Sequence, residues 1–169
     1  MDKDNLYNVF QNVAVSTIAL QSFSHGYHEI AKNKPEITDF PTLGQLFYVL
    51  PIVYNKNAMM VFGNSIDLYT AIIKDTTITL GLQDRANKMA SQTFDGLNLG
   101  FSKQILKWNA PKGTVELGHG FMARRMTLLL GMNTTTNSVK RIQDCAHRLG
   151  NIFAKKNSKN IQLELNIRF

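Results

Sequence analysis

The chain has 169 residues, of which 44% are hydrophobic and 18% charged, and its formal net charge is +7. This length and composition fit one globular domain over residues 1–169 and exclude collagen-like, low-complexity and repeat proteins. A single cysteine excludes an internal disulfide framework, and the most apolar run, residues 46–54, is far shorter than the roughly 20 residues of a membrane-spanning helix. We therefore expect a cytoplasmic protein without membrane contact.

The positive charge is concentrated in the second part of the sequence. Residues 1–100 contain seven Lys or Arg and nine Asp or Glu, whereas residues 101–169 contain twelve and three. This asymmetry favours an anionic partner for the second part, and nucleic acid is the usual candidate. A basic surface that confers solubility or meets an acidic protein is the alternative.

The near-neutral part, residues 1–100, is predicted to be helical. Apolar residues recur every seven positions in its first helix, which indicates an amphipathic stripe. A turn is expected at residues 55–57, and Gly26 is expected to weaken the first helix locally. Helices are predicted over residues 5–32, 42–53, 65–74 and 80–99, the last broken near Gly96 and Gly100.

The basic part, residues 101–169, has a mixed pattern. Strand-favouring residues on both sides of a turn at 109–113 predict a β-hairpin over residues 102–117. Two helices are predicted next, over 121–131 and 136–156. Residues 160–169 alternate apolar and polar side chains, which predicts a short C-terminal strand. The expected fold class is α+β and mainly α-helical: a compact multi-helix domain with one hairpin.

The helix predicted over residues 136–156 carries a basic row. Its apolar residues follow a 3-4-3-4 rhythm and form one seam, whereas Arg141, Arg148 and Lys155 recur every seven residues almost opposite that seam. This row would contact a phosphate backbone without reading sequence. An ordinary solvated helix face is the alternative. The predicted DNA- or partner-binding residues are Arg124, Arg125, Arg141, Arg148, Lys155 and Lys156.

No catalytic signature is present in the sequence. There is no phosphate-binding Gly-rich loop and no G-x-S-x-G motif, and adjacent helix positions point about 100° apart, so Cys145 does not face His147. His25, His28 and Glu29 lie on the first helix, and one face of that helix could present two metal ligands. A further ligand would have to come from His119, His147 or an acid elsewhere. We therefore favour helix-flank histidines and expect no enzyme activity, no cofactor and no metal.

Four stretches of the sequence resemble a known family. They are residues 8–30, 46–56, 82–100 and 146–155. Residues 46–56 are similar to an apolar "LPLVLxK" segment, residues 82–100 to an "RA…EAL…GL" helix that leads into a hairpin, and residues 146–155 to an "A…LGxWFAK" motif. In this order they resemble the short middle component of three-component ABC-ATPase defence systems, the group that includes the Lamassu-type anti-phage and anti-plasmid systems.

The resemblance implies a role and a set of partners. In such systems an SMC- or Rad50-like ATPase senses foreign DNA and a separate effector, often a nuclease, does the damage. The middle component would be a non-catalytic adaptor that docks on the ATPase and helps to hold or release the effector nuclease. Double-stranded DNA would be a further, non-specific contact. The family's motifs carry no catalytic residues to transfer.

Two other hypotheses remain open from the sequence. The hairpin and the two helices after it could form a rearranged winged-helix unit of a free-standing transcriptional regulator, which should be a dimer that binds one operator. A small metal-dependent hydrolase that uses His25 and His28 is the third hypothesis, and its ligand set is incomplete.

Overall fold

The structure is a computed structural model, and it describes residues 12–126 and 134–168. Its α-helices are α1 (Val13–Ala31), α2 (Leu43–Leu46), α3 (Val49–Val53), α4 (Lys56–Gly63), α5 (Leu68–Lys74), α6 (Leu82–Lys88), α7 (Ala90–Ser102), α8 (Thr134–Phe153) and α9 (Ser158–Leu165). The strands are β1 (Leu106–Asn109) and β2 (Thr114–Leu117), and 3₁₀ turns cover Thr76–Thr79 and His119–Phe121. The expected α+β, mainly helical class is confirmed. None of the described helices is long and apolar enough to cross a membrane.

Helix α1 lies at the centre of the fold. Its N-terminus is capped by Asn12, whose side-chain oxygen accepts a hydrogen bond from the Ala14 amide at 2.8 Å. Between Val15 and Tyr27 nearly every residue is buried, including the polar side chain of Gln21. A helix that is buried on all sides lies inside a fold rather than on its surface. The amphipathic stripe predicted for residues 5–32 is therefore too narrow for the described part of this helix.

Helices α1 and α8 cross at very short range because each contributes a glycine to the contact. A Cβ atom added to Gly26 would lie 2.0 Å from the His147 carbonyl oxygen, and one added to Gly150 would lie 2.1 Å from the Phe23 carbonyl oxygen. Neither position has room for a side chain. Gly26, predicted to weaken α1, instead allows α8 to approach it. Beside the crossing, the rings of Phe23 and Phe153 pack edge to face at 5.4 Å.

Helix α7 also depends on a glycine at a close contact. A Cβ atom on Gly96 would lie 2.8 Å from Cβ of Ser16, and the Thr17 hydroxyl donates a hydrogen bond to the Gly96 carbonyl at 2.8 Å. The predicted break near Gly96 and Gly100 is wrong, because both glycines lie inside α7. The helical segment is interrupted earlier, at Met89, between α6 and α7.

The β-hairpin predicted over residues 102–117 is confirmed, with its strands at the bounds of β1 and β2. The strands are antiparallel, and Leu106 pairs with Leu117. On its other edge β2 bonds the body of the protein, since the Val115 amide donates to the Pro41 carbonyl at 3.0 Å and Thr114 bridges to Thr42. The hairpin is therefore packed on the helical body on one side.

The C-terminal strand predicted over residues 160–169 is wrong, because this segment forms helix α9. Asn157 caps the helix by accepting a hydrogen bond from the Asn160 amide at 2.9 Å, and Asn166 ends it in the left-handed conformation. Ile161 and Leu165 are buried whereas Leu163 is 71% exposed. The alternating pattern of the segment satisfies helical i, i+4 spacing equally well, and the two capping asparagines favour the helix.

Other helix boundaries also differ from the predicted ones, in two cases because of a capping residue. The turn predicted at residues 55–57 is the start of α4, because the Asn55 side chain accepts from the Ala58 amide. The helix predicted over 65–74 begins at Leu68, since Asp67 is the cap. The helix predicted over 42–53 is divided into α2 and α3. Residues 122–126 of the helix predicted over 121–131 are not helical, and residues 127–131 lie outside the described part.

The long helix predicted over residues 136–156 is confirmed as α8, although it ends at Phe153 rather than at residue 156. Of its predicted seam, Ile142, Ala146, Leu149 and Phe153 are buried and Val139 is partly buried. The helix packs on α1, α3 and α4, so the basic second part of the sequence contacts the helices of the near-neutral first part.

Candidate partner-binding surface

The six predicted basic residues fall into two groups. Four of them bond other parts of the chain. Arg125 pairs with Asp144 at 2.8 Å, Lys156 pairs with Glu164, and Arg148 and Lys155 donate to backbone carbonyls. Arg124 and Arg141 are exposed, and within residues 12–126 and 134–168 they have no hydrogen-bond or ion-pair partner. The structure therefore places Arg141 and Arg148 on α8 and Lys155 just after its end, and it gives Arg148 and Lys155 partners within the chain.

Three cations converge on the connection between α4 and α5, residues 64–66. Lys74 Nζ donates to the Asn64 carbonyl at 2.5 Å, Arg148 Nε to the Ser65 carbonyl at 3.4 Å, and Lys155 Nζ to the Ile66 carbonyl at 2.5 Å. These carbonyls follow the C-terminus of α4, where the helix dipole is negative and favours cations. We call this arrangement the carbonyl clamp. It fixes the backbone that leads into α5.

Helix α5 is apolar on two sides. Leu68 and Ala71 are fully buried toward the body, whereas Ile66, Tyr69 and Ile73 are 66%, 66% and 61% exposed. A helix on the surface of a monomer normally presents polar side chains to solvent. Large apolar side chains exposed side by side are typical of a protein contact surface. We call Ile66, Tyr69 and Ile73 the α5 face.

The α5 face and the basic row are parts of one surface. Lys155 bonds the backbone carbonyl of Ile66, so a cation that follows the end of α8 lies directly beside an exposed apolar residue of the face. Arg148 bonds the preceding carbonyl of Ser65. Tyrosine and arginine are the residue types enriched at the centres of protein interfaces. The combination favours a partner surface with an apolar centre and some negative charge at its edge.

A groove runs between α4 and α8 next to this surface. Met59 and Met60 line one side of it, Arg141 and Arg148 the other, and Cys145 lies at its floor. Burial raises the pKa of the Cys145 thiol to about 12, and the thiol points at the Met59 carbonyl 3.6 Å away. Because the thiolate is the nucleophilic form, this cysteine is inert at neutral pH.

A second group of functional side chains lies at the α1–α8 crossing. Glu29 Oε2 is 2.8 Å from His147 Nε2, and Glu29 Oε1 is 3.6 Å from His25 Nδ1. Burial lowers the pKa of both imidazoles, although the Glu29 carboxylate opposes this shift. These are the three residues of the described part that could hold a metal ion together. The sequence pattern contained His25 and Glu29 at i, i+4, but no signal joined them to His147.

His28 does not belong to this group. Its ring stacks on Phe40 at 4.3 Å, and its Nδ1 lies 3.1 Å from the Asp39 carbonyl oxygen. The ligand pair of His25 and His28 that a metal-dependent hydrolase would need is therefore not assembled in the structure.

Comparison with known proteins gives one informative result. Neither the curated proteins nor the solved structures contain a match to this chain. The model of one family, the ABC-three component (ABC-3C) system Middle Component 3, matches residues 2–169. The match covers nearly the whole chain and agrees with the resemblance seen in the sequence. The chain therefore belongs to the Middle Component 3 family of ABC-three component systems.

Proposed function

We propose that this chain is a non-catalytic adaptor subunit of a Lamassu-type bacterial defence complex and that it docks on the SMC- or Rad50-like ABC ATPase of that complex through the α5 face. The observation that carries the proposal is the exposed apolar α5 face, held in place by the carbonyl clamp, in a member of a middle-component family.

The α5 face has the chemistry of an interface centre. Full burial of an isoleucine side chain contributes about 1.5–3 kcal/mol, and tyrosine is a residue type enriched at binding hot spots. Ile66 is fixed by the bond from Lys155, and Tyr69 and Ile73 lie one turn apart on α5. A backbone that is ordered before binding loses less conformational entropy on association.

The state of the single cysteine supports an adaptor rather than a cysteine-dependent enzyme. Cys145 is buried and its thiol is protonated at neutral pH because its pKa is raised to about 12. The catalytic work would belong to the ATPase and to an effector nuclease. The adaptor would help to hold the effector or release it when the ATPase engages foreign DNA.

We assign the non-specific DNA contact of this subunit to the cations that have no partner in the described part of the chain. Arg124 and Arg141 meet that condition, whereas Arg148 is bonded to Ser65. Each lost phosphate contact should lower the salt dependence of binding by about one unit of slope.

Anisotropy with a labelled random duplex tests this contact. Arg124→Glu plus Arg141→Glu should weaken binding and reduce the salt slope by about two, because two phosphate contacts are removed. Lys103→Glu plus Lys112→Glu makes the same charge change at two exposed hairpin-side lysines and serves as the control. An equal loss of DNA affinity in both double variants would contradict a contact at Arg124 and Arg141, because it would show only a general effect of net charge.

Affinity purification of the tagged chain from its native host tests the adaptor role. Recovery of a coiled-coil ABC ATPase together with a nuclease-like protein is the expected result. Recovery of the chain alone as a homodimer would contradict the adaptor and favour a free-standing DNA-binding regulator.

A further inference from the structure

The crossing of α1 and α8 brings together side chains that lie more than 100 residues apart in sequence. His25 and Glu29 are one turn apart on α1, and His147 faces them from α8. The approach is fixed by Gly26, where a Cβ atom would overlap the His147 carbonyl. Because the two backbones meet directly at Gly26 and Gly150, the three side chains are held near one another before any ligand binds.

His25 has an unsatisfied atom at this point. The residue is 6% exposed, and its Nδ1 is buried without a hydrogen-bond partner in the described part of the chain. The nearest carboxylate oxygen, Glu29 Oε1, is 3.6 Å away, which is too long for a hydrogen bond. A buried polar atom left unpaired costs about 1–3 kcal/mol, so its retention at a close contact needs a reason.

We propose that His25, Glu29 and His147 bind one divalent transition-metal ion of the zinc class, and that this ion links α1 to α8. The ligand atoms of the three residues lie within 4.8 Å of one another. Tetrahedral zinc with ligand distances of about 2.0–2.1 Å needs its ligands roughly 3.4 Å apart, so a small movement of one side chain completes the site. Glu29, which is 44% exposed, is free to make that movement.

The donor set identifies the class of metal. Two imidazole nitrogens and one carboxylate oxygen suit Zn²⁺ and its first-row neighbours, whereas Ca²⁺ and Mg²⁺ require oxygen ligands. Binding replaces the short contact between Glu29 Oε2 and His147 Nε2 with two bonds to the ion. The Nε2 proton of neutral His147 shifts through solvent to Nδ1, so Nε2 binds the ion as a neutral imidazole nitrogen. Three protein ligands leave a fourth tetrahedral position for water.

The groups around the proposed site include some that favour and some that oppose the binding of a cation. Arg125 carries positive charge near both histidines, but it is paired with Asp144 at 2.8 Å, and this pairing reduces its repulsion of a cation. Asn151, one turn after His147, has a buried side-chain oxygen without a partner in the described part.

The test uses untagged, EDTA-treated full-length chain, titrated with zinc chloride in a calorimeter and with Co²⁺ by visible absorption. We expect one equivalent of Zn²⁺, a rise in melting temperature on binding, and Co²⁺ bands of a low-symmetry, four- or five-coordinate site. Glu29→Gln, which keeps size and shape at a half-exposed position, and His147→Gln should each weaken binding by at least about tenfold. His119→Ala, at an exposed histidine outside the site, should bind as the wild type does.

Two results would overturn the proposal. One is a wild-type chain that binds no Zn²⁺, and the other is wild-type affinity in both Glu29→Gln and His147→Gln. Circular dichroism establishes that each variant is folded, and Glu29→Gln decides the matter alone if His147→Gln does not fold. The outcome is independent of the adaptor role, because a chain without a metal could still dock on the ATPase through α5.

Discussion

The α1–α8 crossing and the α5 face are both built from apolar side chains at helical spacing, yet they end in opposite environments. At the crossing, Phe23, Ala146 and Leu149 are fully buried and glycines bring the backbones together. On the α5 face, Ile66 and Tyr69 remain 66% exposed. The crossing is complete within one chain. Under the docking proposed above a partner covers the α5 face, so apolar content alone does not separate a core from an interface.

The same substitution at two glycines tests how tightly the crossing is closed. Gly150→Ala places a Cβ atom 2.1 Å from the Phe23 carbonyl oxygen, and Gly63→Ala, on α4, meets nothing within 4 Å. We expect Gly150→Ala to lower the free energy of unfolding by about 3 kcal/mol or more, through displacement of α8. Gly63→Ala should raise it by up to about 1 kcal/mol, because alanine is the better helix former.

Urea unfolding followed by circular dichroism measures both effects. Similar stabilities for the two variants would mean that α1 and α8 are not in close contact, and the contrast with the α5 face would disappear.

The reactivity of Cys145 shows how well the α8 core excludes solvent. With a pKa of about 12 in the folded chain, the thiol is far less ionised at pH 8 than an unfolded thiol of pKa about 8.5. Native protein should therefore react with Ellman's reagent about 10³-fold more slowly than urea-unfolded protein. Fast stoichiometric labelling of the native chain would place Cys145 on an open surface.

The carbonyl clamp connects the two regions, and its removal should affect the α5 face more than the core. Lys155→Met removes the donor to the Ile66 carbonyl and keeps most of the side-chain volume. We expect the global free energy of unfolding to fall by about 1 kcal/mol or less. Relative to wild type, amide exchange should become faster in residues 64–68 by a larger factor than in α1. Lys159→Met changes an exposed lysine and is the matched control. Uniform exchange rates in both variants would contradict a local role for the clamp.

Long periodic segments of the fold were predictable from sequence. The seam of α8 extends over many turns, and the hairpin has strand-forming residues on both sides of a turn, so each pattern has one interpretation. The C-terminal segment is short, and Ile161 and Leu165 fit a strand and a helix equally well. The capping residues decided between them.

The site was predictable only in part. The spacing predicted Arg148 and Lys155 on one side of one helix, whereas Arg148 lies on α8 and Lys155 lies after its end. Their carbonyl partners are more than 80 residues away in sequence. His147 and Glu29 are more than 100 residues apart in sequence. Contacts between distant segments depend on how the helices cross, and glycine positions reveal that crossing only once the packing is known.

The most direct test of the docking proposal is the affinity of the purified chain for the ABC-ATPase component of its own system, measured by calorimetry. Ile66→Asp plus Tyr69→Asp should weaken binding by at least about 100-fold because charge replaces the apolar centre of the interface. Trp108→Asp alters an exposed aromatic residue on β1, away from α5, and should leave the affinity within about threefold of wild type. Wild-type affinity in the folded double variant would contradict docking through the α5 face.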